Sequence, residues 1–456
     1  KPLAQAILDA RCLSPGEPMG TCCSTGGPTS TGEASVVEVS AVCCQDGPEH
    51  GKREGQPSGA SAEENEEPGP EPSSTNQEVS DPDHLDLEWR NPFGRTRQLL
   101  NLGVVRLLSA KFLIKQGGGF HIKRLQDLPE EALLPPARAA HLYSIRHAIV
   151  VVSYGWLSKL HPDPTSFHMP TVQKYLAHHL KHFGNDPHGI HNVDMGVFWD
   201  FASLPQCAAD GTERTSAEQK TFKMGLGAIN VLYGGQNTTV IQLTNMPRKL
   251  QLKDGSEANL TPYETRGWCF FEAVVSSLLK GPGGLLDLGL GAQELDREGA
   301  NWLSIRSAST GRRQPPVLPE DMAERLGKCK FTNGADVELV TRKYQDFVND
   351  FAATADYLKL ANGAKGHGTG WGDAEVSQLA RALPSFTAIV ELRIDGHRML
   401  GEAGLARLRV ALREMPRLGT IFLPLHLRDT KEGQELRAEW LLAGKKEGSG
   451  FGLIWR

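Results

Sequence analysis

The chain has 456 residues, more than the about 250 to 300 that one hydrophobic core usually spans, so several folded parts or one fold with long unfolded segments are expected. Its formal charge of −5 is spread over a mixed surface without a long Lys/Arg block, which argues against nucleic acid as a partner. No stretch approaches the roughly 20 apolar residues that cross a bilayer, and the first residues lack the apolar core of a secretory signal, so the folded part is expected in the cytoplasm.

Residues 1–90 read as a disordered arm. From Ser14 to His84 the chain is rich in Gly, Pro, Ser and Glu, includes the acidic run Ala62–Pro72, and has too few large apolar residues to offset chain entropy. Five of the eight cysteines lie in this arm, and without a CxxC pair or regular framework neither structural disulfides nor a zinc ribbon is expected. Met19 opens the run MGTCCS, which fits an N-myristoylation signal. If translation begins there, Gly20 would carry the acyl chain, and Cys22 and Cys23 would add the second lipid that stable membrane association needs. If residues precede Met19 in the cell, the motif cannot act.

Residues 91–146 form a lead-in. Leu99–Leu113 has mixed helical spacing, and Phe112–Arg124 reads as two short strands around Gly117, Gly118 and Gly119. Those glycines lack the lysine and following helix of a phosphate-binding loop, so they predict a hairpin turn.

From residue 147 to 335 the pattern alternates. His147–Trp156, Met195–Ser203 and Thr238–Thr244 are short apolar runs of the kind found in strands covered on both faces. Thr171–Phe183, Ala217–Gly234 and Gly267–Leu279 read as the helices between and after them. The expected fold class is α/β, a doubly wound, mostly parallel sheet with right-handed crossovers, whose ligands gather outside the carboxyl ends of the strands. Residues 336–364 predict one long amphipathic helix over Asp336–Leu360, with Val340, Tyr344, Phe347, Phe351 and Leu358 along or near one face.

Residues 365–456 contain a repeat offset by 29 residues. Gly372, Ala374, Leu379, Ala382, Leu383, Leu392 and Ile394 recur as Gly401, Ala403, Leu408, Ala411, Leu412, Ile421 and Leu423. A helix followed by a short strand at this period looks like the longer type of leucine-rich repeat. Two units cannot form a solenoid alone, so they are expected to dock on the preceding domain. Two unrelated αβ units that match by chance are the alternative.

Four segments of the middle domain resemble, in order, those of the heterokaryon-incompatibility (HET) domain: Val151–Leu157 (VVSYGWL), Val197–Gln206 (VFWDFASLPQ), Lys223–Leu243, and Tyr263–Glu272 (YETRGWCFFE). The last also resembles the S-x-W-C-L-x-E-L helix of Toll/interleukin-receptor (TIR) domains, a family thought to share the HET fold. In TIR members that cleave NAD the glutamate is catalytic, and Glu272 stands at that position. Arg266-Gly267 before the tryptophan and Phe271-Glu272-Ala273 in place of Glu-Leu depart from the TIR pattern and favour the HET side.

Without any family, Glu272 is already unusual, because it interrupts the apolar run from Trp268 to Val275. A carboxylate there needs a designated hydrogen-bond partner or a raised pKa. In N-glycosidic cleavage of NAD the nicotinamide leaves without a general acid, and a carboxylate in a water-poor pocket stabilises the ribosyl cation. Trp268, Tyr154 or Trp156 could stack on a ring of such a ligand, Ser153 belongs to the first HET-like segment, and Asp200, Gln206 and Arg266 are the polar candidates around it. The structural alternatives are that Glu272 pairs with Arg266 or caps backbone, and that Asp200 caps the turn after its strand.

His178 and His182 stand four residues apart on a helix, a spacing that can hold zinc. No glutamate of an HExxH motif lies between them, and Asp163 or Asp186 would have to fold back, so a solvated face without metal is expected. Two functions remain: a HET/TIR-like signalling or interaction module that self-associates or recruits protein partners, or an NAD-consuming enzyme centred on Glu272. No cofactor is required by either; NAD enters only as substrate.

Overall fold

The computed structural model describes residues 92–456 apart from 118, 185–192, 253, 254, 256, 282, 312, 332–335, 353, 363–369 and 449. All described residues belong to one compact unit. The arm over residues 1–90 and the acylation motif with Gly20, Cys22 and Cys23 lie outside them.

The lead-in is more helical than its sequence suggests. Pro92–Asn101 (α1) buries Leu99 and Leu100, Leu108–Ser109 (β1) follows, and Ala110–Lys115 (α2) starts where the Ser109 hydroxyl accepts the Phe112 amide. The hairpin expected over 112–124 is therefore corrected: Phe112 and Ile114 are helical, and residues 119–124 contain no strand. The physical reason lies far along the chain, since Asp194 accepts from the Ser109 hydroxyl at 2.5 Å and the Lys111 amide at 3.1 Å and so fixes the helix start. Pro136–Tyr143 (α3) then leads into the alternating region.

Ile149–Tyr154 (β2) is buried at every position, as the apolar run requires. Met169–Phe183 (α4) begins where Asp163 accepts the amides of Phe167, His168 and Met169. Gly196–Phe198 (β3) passes at once into Asp200–Ser203 (α5), so the expected second strand ends early. Ser216–Gly234 (α6) opens with a reciprocal cap between Thr215 and Glu218 and is followed by Thr238–Leu243 (β4). Gly267–Leu279 (α7), Leu285–Asp287 (β5), Ala292–Leu295 (α8), Trp302–Ala308 (α9) and Pro319–Gly327 (α10) complete this part.

These strands form a mixed five-stranded sheet in the order β1-β3-β2-β4-β5. The four strands from β2 to β5 run parallel, and β1 joins the β3 edge antiparallel. Asp336–Ala352 (α11) packs here through Phe347, whose ring fills the space beside Gly234; a Cβ on that glycine would come within 2.5 Å of it. The helix stops at Ala352, and Leu358 lies instead on Tyr357–Lys359 (β6), opposite Leu392.

The repeat region contains Asp373–Ala382 (α12), Glu391–Arg393 (β7), Glu402–Leu412 (α13), Thr420–Leu423 (β8), Lys431–Leu442 (α14) and Leu453–Trp455 (β9). Strands β6 to β9 form a parallel four-stranded sheet in chain order. Helices α12, α13 and α14 begin 29 residues apart, at Asp373, Glu402 and Lys431, so a third helical unit continues the sequence repeat. Trp371 donates its indole N–H to the Arg313 carbonyl, and Gln378 donates to the carbonyls of Pro315 and Pro316, which dock the repeats on the preceding part.

Candidate functional site

Ser153 on β2 and Gln242 on β4 are direct partners in the parallel register, each next to the last residue of its strand. The chain order of the strands reverses between β2 and β4, so this pair lies at the carboxyl ends of the strands at the switch point, the place where such sheets commonly hold ligands. Above it Tyr263, in the turn before α7, and Glu272, in the second turn of α7, complete a line of four polar side chains. Gln242 Nε2 lies 3.1 Å from Tyr263 Oη, Tyr263 Oη lies 2.5 Å from Ser153 Oγ, and Ser153 Oγ lies 2.6 Å from Glu272 Oε2.

Proton bookkeeping gives this line a direction. The Gln242 amide donates to the phenol oxygen, and Ser153 spends its single hydrogen on the carboxylate, so the Tyr263 hydroxyl donates to Ser153. Burial raises the Tyr263 phenol well above its ordinary range, with added repulsion from Cys269 and Glu272, so it keeps the proton it must donate. Ser153 is fully buried and Glu272 half-buried. Hence Ser153 is a hydrogen-bond partner of Glu272, backed by Tyr263 and Gln242, which sequence reasoning passed over. Gln242 did carry a signal, as a polar side chain inside the apolar run Thr238–Leu243.

Arg266 is not the partner. Its Nε, Nη1 and Nη2 donate to the carbonyls of Thr261, Trp156 and Asn259 at 2.7 to 2.8 Å, and no ion pair joins it to Glu272. The guanidinium is buried against Gly155, where a Cβ would come within 2.6 Å of Nε. Arg266 thus ties the loop after β2 to the segment before α7.

Tyr154 follows Ser153 on the strand and leaves by the opposite face. Its hydroxyl donates to Asp200 at 2.7 Å, and the same carboxylate oxygen accepts the Phe201 amide at the start of α5. Burial, then Asp200, hold the Tyr154 phenol well above its usual range. Trp156 packs edge-on against Phe201 at 5.7 Å and, with Gln206, lines a cavity of about 30 Å³. That volume holds one or two waters, not an aromatic base. Gln206 donates to the carbonyls of Asp200 and Leu204. Trp268 sends its indole N–H to Asp336 at the start of α11. Of the sequence candidates, then, the structure brings Ser153 to Glu272 and groups Tyr154, Asp200, Trp156 and Gln206 on another side.

Glu272 borders none of three cavities lined by described residues. Among the described residues no group of three potential ligands could hold a metal. His182 stacks on Trp302, while Asp163 is engaged by backbone amides. Asp186 lies outside the described residues. Cys269 and Cys329 are free. No helix of the described residues is long and apolar enough to cross a membrane.

No family model, curated protein or solved structure matches this chain.

Proposed function

We propose that the five-stranded part is a HET/TIR-like, doubly wound signalling domain whose crevice takes an N-ribosyl nucleotide of the NAD class at Glu272. The observation that carries this reading is the directed line Gln242–Tyr263–Ser153–Glu272, which ends on a carboxylate at the strand ends where chain order reverses. Arg266 is committed to three carbonyls, and the Ser153 hydroxyl donates to the Glu272 carboxylate.

The chemistry suited to one aimed carboxylate is dissociative. As the bond between ribose C1 and the nicotinamide nitrogen breaks, its electron pair neutralises the leaving ring and positive charge develops on the sugar. Glu272 stabilises that charge, and water, losing a proton, or Glu272 itself forms the new bond to C1. Calorimetric titration with NAD tests the binding half: saturable binding that is lost in a folded Glu272→Arg variant supports the reading, and no heat at any concentration contradicts it.

A second reading, recruitment of protein partners or self-association through the repeats, is favoured by Leu442 and Phe451, which stand 87% and 82% exposed near the β9 edge of the four-stranded sheet. Attachment to a membrane through Gly20, Cys22 and Cys23 belongs to this reading as well.

A further inference from the structure

We infer that the cavity at the point where the described chain begins is the docking site of the chain's own preceding segment, residues 85–90. That segment lies outside the described residues. The cavity has a volume of about 430 Å³, and Pro92, the first described residue, lines it. Its apolar lining includes Phe93 and Phe351, whose rings meet edge to face at 5.8 Å, and Leu279 at the end of α7. An apolar cavity of ~150 Å³ already admits benzene, so this one has room for an indole.

The polar lining suits a peptide. Tyr357 donates its hydroxyl to the Gln236 side-chain oxygen, and the Gln236 amide hydrogens, without an acceptor among the described residues, are left to donate to a backbone carbonyl. Asp356 lines the same cavity and is exposed, which sets a negative charge at its rim. Glu272 does not line the cavity, and docking here does not depend on the nucleotide reading.

The amino-acid sequence supplies the occupant. The stretch poor in large apolar residues ends at His84, and Leu85, Leu87 and Trp89 then alternate with Asp86, Glu88 and Arg90. In an extended segment this alternation places the three apolar side chains on one side and the three charges on the other. Trp89 precedes Pro92 by three residues, a span of at most ~11 Å, so the chain itself delivers the indole to the cavity at high effective concentration. Arg90, the next residue, carries the charge complementary to Asp356 at the rim. A separate peptide of the same composition lacks this tether, which is why the occupant is the chain's own segment.

Trypsin cleavage after Arg90 in the intact chain, followed by mass spectrometry, tests the docking. Trp89→Ser removes the anchor and is expected to speed cleavage about tenfold or more. Ala355→Trp fills the cavity from a half-buried position on its wall and leaves the cleaved bond unaltered, so the same acceleration is expected there, in protein whose thermal unfolding shows it to be folded. Equal cleavage rates in the parent and both variants overturn the docking. Protection of the parent that disappears on dilution also overturns it, because a second copy then supplies the occupant.

Discussion

The Ser153 hydroxyl lies 2.6 Å from Glu272 and 2.5 Å from Tyr263, so one small side chain on a buried strand links a helix carboxylate to a phenol. Ser153→Ala strips the acceptor from the phenol and the donor from the carboxylate at once. It is expected to cost about 1 to 3 kcal/mol in denaturant unfolding. In combination with Tyr263→Phe the losses should be clearly less than additive, because both changes break the same line. Additive losses would show that the line does not act as a unit.

Arg266 makes a sharper structural prediction. Its replacement by Ala leaves three carbonyls without their donor, and a cost of about 3 to 5 kcal/mol is expected. Lysine should not restore it, since an ammonium cannot reproduce the fork. Thermal unfolding of both variants reads the outcome; a loss below about 1 kcal/mol for either would remove the proposed tie.

Acid should weaken the fold through buried neutral histidines. His179 accepts the Trp302 indole N–H on Nδ1 and donates Nε2–H to the His147 carbonyl, and His397 accepts the Trp371 amide on Nδ1 and donates to the Leu360 carbonyl. Burial lowers His179 from 6.5 to about 3 and His397 from 6.5 to about 4. Depressed pKa values mean the unfolded chain binds more protons, so this stability is full above pH ~6.5 and is lost as pH falls toward the folded values. Unfolding followed from pH 8 to 4 should show a flat upper region and a decline starting near 6.5; constant stability across that range would contradict the neutral assignments.

In the repeats, Gly404 and Gly433 occupy equivalent places 29 residues apart, and both allow close approach. A Cβ on Gly433 would lie 2.0 Å from the Leu427 carbonyl oxygen, and one on Gly404 would lie 2.6 Å from Leu400 and 2.7 Å from Asp373. Gly433→Ala meets backbone and should cost about 1 to 3 kcal/mol. Gly404→Ala meets two side-chain atoms first and the Asp373 Cα only at 2.9 Å, so its cost in the same assay should be smaller.

Much of this molecule was legible from local pattern, and what was hidden depended on distant partners. Gly267–Leu279 emerges as a helix with the bounds its sequence suggests, and the β2 and β4 runs become buried parallel strands because continuous apolar stretches need cover on both faces. The hairpin failed because Asp194, some 80 residues on, captures Ser109 and Lys111. The third repeat helix was invisible because Thr430, Arg437 and Trp440 stand where the first units have Gly, Leu and Ala, while the Thr430 cap and Gly433 keep its geometry. At the site, Glu272 and Ser153 were found by their resemblance and by a charge in an apolar helix. Tyr263 and Gln242 join only once the strand register sets Ser153 beside Gln242.

Nicotinamide release from NAD, followed at high protein concentration in the intact chain and in a folded Glu272→Gln variant, tests the central claim most directly. The geometry predicts turnover in the intact chain and a loss of about 10²-fold or more in the variant, which keeps the shape and removes the charge. Equal release from both proteins, or none from a folded and concentrated parent, would contradict a catalytic role for Glu272 and leave the domain as an interaction module.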